Sequence, residues 1–472
     1  MTAVVERRET VPNPYLEGPF TPIDTEITTE CEVVGELPAD LSGVYVRNGS
    51  NPKYPPPGRY HWFDGDGMVH AIHFENGKAV YRNRYIATEA LAAETAAGEA
   101  IWAGINERPD FRHPGGPFKD TANTDLVFHR GRLLALWWLG GPCYEIDVPS
   151  LETVGRFDFG GTLPSLTAHP KLDPVTDELI VFDYDVLPPY LTYGVIGADG
   201  TLVHRTEVDL PGPRLLHDLA ITEHFTILMD FPLMWDPEQL AQGRTKLTFR
   251  TDLPARFGII PRHGAGDSVQ WFEAESCYMY HTINAWESGN EIVLVGCRID
   301  NPLREGDRDR IPHIDVLRLE PFLHEWRFDR VTGTVRERVL DDVMAEFPRM
   351  DNRLLGRPSQ YSYSPRIAPA PELLFDGFLK YDTTTGDSET HTYGEHRYGG
   401  ETVFAPRVGA GPADDDGYVL TFVTDATTGD SEVIVVDARR VTDEPVCRIR
   451  IPQRVPIGYH SWWVAEAELT SR

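Results

Sequence analysis

Apolar residues in this chain fall in short runs, cut every few positions by turn residues. Gly43–Gly49 (GVYVRNG), Asp125–Trp138 (DLVFHRGRLLALWW), Asp177–Val186 (DELIVFDYDV) and His224–Phe231 (HFTILMDF) are such runs. Asn290–Ile299 (NEIVLVGCRI), Gly417–Asp425 (GYVLTFVTD) and Ser431–Arg439 (SEVIVVDAR) follow the same pattern. Their length and their content of Val, Ile, Leu and aromatic residues predict β-strands. Between them stand Glu75–Lys78 (ENGK), His129–Arg132 (HRGR), Glu287–Asn290 (ESGN) and Thr427–Asp430 (TTGD), where Gly or Asn supplies the positive φ of a tight hairpin. Helical periodicity is scarce. Thr88–Trp102 (TEALAAETAAGEAIW) predicts one short helix and Leu340–Phe347 (LDDVMAEF) a second.

Many hairpin-linked strands in one chain, with no composition shift to mark a linker, predict an all-β domain: a sandwich, a barrel or a propeller. At 472 residues the propeller fits best, because it grows by adding four-stranded blades around an axis. No WD or kelch repeat is present, so strand density and length carry this reading. The longer Pro-rich connections, Asn51–Trp62 (NPKYPPPGRYHW) and Leu187–Gly197 (LPPYLTYGVIG), are expected to cap one face. The whole chain, 1–472, reads as one propeller domain with cap insertions, residues 1–36 being an N-terminal extension packed on it.

Composition narrows the partners. Hydrophobic residues make up 41% of the chain, enough for a large core. Lys+Arg number 44 and Asp+Glu 73, a net charge of −29, which repels phosphate backbones and excludes nucleic acid as a natural partner. The five cysteines are odd in number and have no Cys-x-x-Cys spacing. That pattern argues against a disulfide framework and a zinc ribbon, and for a reduced, cytoplasmic setting. The first twenty residues hold no apolar core of a secretory signal, and no run approaches the roughly 18 apolar residues of a spanning helix.

The candidate chemistry lies in the histidines, of which there are 16. No His-Glu-x-x-His helix and no Cys/His finger spacing occurs. Setting separates them: His169 (SLTAHPKLDP), His217 (RLLHDLAI), His281 (CYMYHTINAWE) and His460 (GYHSWWV) lie on or beside apolar runs, as do His70 and His73 (GMVHAIHF). Any one of these is compatible with a hydrogen-bonded core histidine. The first four are separated by 48, 64 and 179 residues, close to one, one and three blades of roughly 50–65 residues each. Innermost strands of successive blades all face the axis, so such residues could converge there. Imidazoles suit zinc, copper and iron.

Eight motifs in order identify a resemblance: RNGSNP (Arg47–Pro52), YHWFDGDGMVHAIHF (Tyr60–Phe74), ANTDLVFHRGRLLAL (Ala122–Leu136), AHPKLDP (Ala168–Pro174), HDLAITEHF (His217–Phe225), EFPRMDNRLLGR (Glu346–Arg357), RYGGETVFAPR (Arg397–Arg407) and GYHSWWV (Gly458–Val464). From Pro38 to Val464 the chain resembles the carotenoid cleavage oxygenases. That resemblance implies a seven-bladed propeller with a helical and loop cap over the axis. It implies Fe(II) held by His169, His217, His281 and His460, and leaves His70 and His73 as structural residues. Glu346 and Glu401 match two of the glutamates that orient iron ligands in this family. At the place of the third stands Trp138, in LLALWWLGGPCYEID, with His217 as the ligand left without its glutamate.

The implied reaction is O2-dependent scission of a C=C bond in a lipophilic conjugated substrate, such as a carotenoid or apocarotenoid, into two carbonyl products. Stilbene or phenylpropenoid cleavage stays open, although the lysine that stilbene cleavers carry is replaced here by Trp137. A non-oxidative isomerase and a metal-free binding propeller are the remaining alternatives. No Gly-x-Gly-x-x-Gly fingerprint for a dinucleotide is present. Trp137, Trp138, Tyr184, Phe231, Trp235 and Tyr361 are candidate walls of a substrate tunnel. The apolar stretches 185–197 and 231–235 are candidate peripheral contacts with a membrane or micelle.

Overall fold

In the computed structural model of the protein, residues 13–242, 246–303 and 319–470 are described. The apolar runs form antiparallel strands that assemble into seven radial blades, with a short helix and several loops over one end of the axis. Four of the sheets have four strands each and follow chain order from the inside outwards. Their innermost strands are Asp125–His129, Lys171–Leu172, Ala220–Ile221 and Tyr278–Ser288. A sixth and a seventh blade are joined into one nine-stranded sheet by Arg397–Gly399, which pairs with both.

The first blade is closed by both ends of the chain. Ser461–Ala465 is its innermost strand and pairs antiparallel with Gly43–Arg47, in the register Gly43↔Ala465 to Arg47↔Ser461. Thr28–Glu30 adds to the outer edge of the same blade, and Glu32–Gly35 adds to the outer edge of the seventh.

Burial explains the pattern of the runs. Outermost strands such as Leu202–Glu207 and Thr153–Phe157 alternate half-buried with exposed residues, whereas Gly43–Arg47 and Asp125–His129 are buried throughout. An inner strand touches a neighbouring blade on each face and so reads as continuously apolar. The core is accordingly divided. Seven apolar clusters fill the gaps between neighbouring blades, and an eighth, built around Tyr15, Trp62, Phe347 and Tyr459, lies under the cap. The five cysteines are buried and free.

One predicted helix forms and one does not. Glu89–Ala97 is helical, with the Thr88 side chain accepting from the Leu91 N–H at its start and Gly98 in the left-handed conformation at its end. Leu340–Phe347 is not a helix. Its end pairs instead with Tyr361–Ile367 through Ala345↔Arg366, a pairing continued just beyond it by Arg349↔Tyr363, as the inner edge of the sixth blade. Ladder bonds and burial there outweigh a weak local helix preference. The Pro-rich stretch 187–197 likewise divides: its turn is exposed, but Leu191–Ile196 is a strand of the third blade and not cap.

His70 and His73 are core residues of the first blade, pointing away from the axis. The His70 Nδ1 meets the Tyr81 hydroxyl at 2.8 Å. Burial pushes both imidazoles down, His73 to about 3. Between that value and the ordinary ~6.5 the unfolded chain binds protons that the folded one refuses. Stability is therefore complete above pH 6.5 and falls by up to about 1.4 kcal/mol per pH unit for each such histidine as the pH drops. Urea midpoints measured from pH 7.5 to pH 5 are expected to fall, and His73→Leu to make that fall shallower; an unchanged slope in the variant would contradict the assignment.

Candidate metal centre

Each of the four histidines named from the sequence stands at the inner end of a blade. His169 precedes Lys171–Leu172, His217 precedes Ala220–Ile221, His281 lies within Tyr278–Ser288 and His460 precedes Ser461–Ala465. These belong to the third, fourth, fifth and first blades, so the spacing of one, one and three blades holds. One potential ligand atom from each ring lies within 4.8 Å of the other three, and all four side chains are buried. The His217 and His281 Nε2 atoms are 3.2 Å apart, and the His169 Nε2 is buried without a hydrogen-bond partner. Lone-pair nitrogens turned toward each other in a dry setting repel unless a cation lies between them. The donor set therefore fits a divalent transition metal.

The protonation states suit that use. Burial, reinforced by the neighbouring rings, holds His169, His217 and His460 well below the ordinary imidazole range. They are thus neutral, the form that ligates. Carboxylates fix the opposite ring edges. Glu346 Oε2 is 2.6 Å from His281 Nδ1, and Glu401 Oε1 is 2.9 Å from His460 Nδ1. An acceptor at Nδ1 keeps the proton there and turns the Nε2 lone pair toward the axis. Burial pushes the Glu401 carboxyl up to about 8, against the pull of Arg349, whose Nε is 2.9 Å from Glu401 Oε2.

Two residues at the site are strained. His169 has φ 66° and Phe347 φ 54°, both in the left-handed region. Non-glycine residues occupy it at a cost of order 1–3 kcal/mol and do so mostly where a site requires it. At His169 this conformation turns the ring inwards just before its strand starts.

A cavity of about 440 Å³, its open mouth included, lies on the capped side of the rings. His217, His281 and His460 form its floor, with Glu346 behind them, and Trp62, Phe63, Trp138, Tyr280, Phe347 and Tyr459 are among its walls. Of the six tunnel candidates only Trp138 is part of this lining. Trp137, Phe231 and Trp235 are buried with Trp138 in the cluster between the fourth and fifth blades, and the Tyr184 hydroxyl donates to the Trp138 carbonyl at 3.0 Å. Tyr361 is remote, its ring 4.0 Å beneath the Lys380 ammonium. Its strand presents that end to the outside, so an aromatic residue near a matched motif did not imply a wall. The walls missed in the sequence carry a signal all the same: Tyr280, Phe347 and Tyr459 are chain neighbours of His281, Glu346 and His460.

Phe231, Leu233 and Trp235 are buried, so the stretch 231–235 offers little apolar surface to a membrane. Leu233–Trp235 pairs with Leu247–Phe249, and all three side chains pack inwards. In 185–197 the exposed part is the turn at Leu187, 69% accessible, and the two prolines after it. Among the described residues no helix is long and apolar enough to cross a membrane.

Comparison with known proteins gives the chain a family. The family described as retinal pigment epithelial membrane protein matches residues 20–465. A carotenoid 9,10(9',10')-cleavage dioxygenase of Crocus sativus is 37% identical, over 96% of this chain and 90% of that one. A carotenoid cleavage oxygenase of Mycobacterium tuberculosis is 34% identical, over 96% and 97%. Among solved structures, a lignostilbene dioxygenase of Pseudomonas brassicacearum superposes with a TM-score of 0.88 at 30% identity, over 97% of this chain and all of that one. A cobalt-substituted apocarotenoid oxygenase of Synechocystis does so with a TM-score of 0.84 at 26% identity, over 95% and 98%. With four histidines gathered on the axis of a seven-bladed propeller and full-length similarity of this degree, the chain belongs to the retinal pigment epithelial membrane protein family, that of the carotenoid cleavage oxygenases.

Proposed function

We propose that this protein cleaves a C=C bond of a lipophilic conjugated substrate with dioxygen, giving two carbonyl products, and that its metal is Fe(II). The observation that carries the reading is the buried ring of four imidazoles opening into an aromatic cavity. His169, His217, His281 and His460 hold the metal, with Glu346 and Glu401 orienting two of them. A ferrous ion held by these residues would supply the electron density needed to activate dioxygen toward an alkene. The chain supplies the rest. Phe63, Trp138, Phe347 and Tyr459 offer flat apolar faces to a planar polyene, and the cap keeps water away from a reaction that water would divert.

The substrate class is an apocarotenoid or carotenoid, as the names of the relatives suggest. Stilbene cleavage is the second reading, favoured by the superposition on a lignostilbene dioxygenase and by the phenol-bearing walls Tyr280 and Tyr459. Incubation of the iron-loaded protein under ¹⁸O₂ with apocarotenals, carotenoids, resveratrol and isoeugenol tests both. One labelled oxygen in each of two carbonyl products is expected from one class of substrate. Iron without oxygen uptake would support an isomerase, and neither would support a binding propeller.

The ligand assignment has its own test. His281→Ala should lose iron and activity together, and Glu401→Gln should weaken iron binding by about 10–100-fold; isothermal titration of the apoprotein with Fe(II) under argon measures both. Peripheral membrane contact, if the substrate is drawn from a lipid surface, falls to the Leu187 turn. Leu187→Glu should reduce co-sedimentation with liposomes, and equal pelleting would remove that contact.

A further inference from the structure

Two of the four rings are held by glutamates, and a third carboxylate approaches the ring of ligands from an unexpected place. His217, the ligand opposite the site where Trp138 stands, has a buried Nδ1 with no hydrogen-bond partner among the described residues. Trp138 offers it no acceptor, because an indole only donates. In the same blade as Trp138, whose backbone N–H donates to the neighbouring Thr124 hydroxyl at 3.1 Å, Asp125 opens the innermost strand and is 4% exposed. Its Oδ2 accepts the backbone N–H of His169 at 3.0 Å and lies 3.6 Å from the same residue's ring Nδ1. Its Oδ1 has no hydrogen-bond partner and stands 3.7 Å from the Arg349 guanidinium.

We propose that Asp125 is the third metal-orienting carboxylate of this protein, displaced from His217 to His169, and that it offsets the presence of Trp138 at the usual position. The proposal rests on the four-histidine iron reading above. Asp125 is a positioning residue. By accepting the backbone N–H of His169 and setting a carboxylate oxygen 3.6 Å from its ring Nδ1, it favours the left-handed conformation with Nε2 toward the axis.

Arg349, between Glu401 and Asp125, ties the two carboxylates into one network. Trp138 is then free to serve as an apolar wall where a carboxylate would have stood in the cavity.

Anaerobic titration with Fe(II) of apoprotein from four forms tests this: wild type, Asp125→Asn, Trp138→Glu and the double variant. Wild type must bind iron; if it does not, the metal reading itself fails. Given that binding, Asp125→Asn is expected to lose about 10–100-fold in affinity, and Trp138→Glu in the same chain to restore at least about tenfold of it. An affinity for Asp125→Asn within about twofold of wild type overturns the proposal. So does a loss that Trp138→Glu does not lessen, because a carboxylate restored beside His217 should make up for one lost beside His169. A measurement on the unmutated protein guards against misfolding of the variant. In the cobalt-substituted wild type, the paramagnetically shifted imidazole N–H protons should show three in slow exchange with solvent, those of His169, His281 and His460; only two would reject Asp125 as a partner.

Discussion

The pairing of Ser461–Ala465 with Gly43–Arg47 is the constraint on which the rest of the site depends. It turns an open array of blades into a closed ring, and it continues beyond the strand. The Asn48 N–H donates to the His460 carbonyl and the Tyr459 N–H to the Asn48 carbonyl, each at 2.9 Å. His460 is therefore held by ladder bonds although it lies twelve residues from the end of the chain. Space allows no slack here: a Cβ on Gly458 would come within 2.7 Å of both Arg47 and the Asn48 carbonyl. Without this closure His460 would not be held beside the other three rings, which come from adjacent blades and would line one side of an open cleft.

The closed ring makes the axis dry, and dryness has two consequences that work together. It keeps the imidazoles of His169, His217 and His460 neutral, so that their lone pairs would be available to a metal. It also faces the rings with aromatic side chains across the cavity, which a greasy substrate wets and water does not. The same burial makes the site costly to assemble from polar parts. Each carboxylate near the axis accordingly has a defined partner. Glu346 and Glu401 meet ring edges, Asp218 meets Lys171 and the Thr282 N–H, and Asp125 meets His169.

Much of this was legible beforehand, and for a physical reason. The strands follow from runs that must satisfy a period set by burial between blades, and the four histidines were singled out from His70 and His73, which lie on similar runs, only by the family resemblance. Glu346 and Glu401 were accessible only through family motifs, since a lone glutamate beside a turn has no local signature of burial. The error at Leu340–Phe347 has the same origin. Eight residues of mild helix preference say nothing about a strand further along the chain, Tyr361–Ile367, that offers them a ladder. Tyr361 and the stretch 231–235 failed because aromatic content reports that a residue packs, and not against what.

By itself the sequence determined the class of fold, the presence of a capped propeller and the identity of the four imidazoles, because these rest on periodicity, spacing and motif order, all written along the chain. Tertiary structure decided which side chains share the axis with them. Asp125 and His169 are 44 residues apart, Glu401 and Arg349 more than 50, and nothing in a one-dimensional pattern brings them together. Only the closing of the ring, which places the first residue of every inner strand at one end of one axis, converts those distances into contacts of a few ångströms.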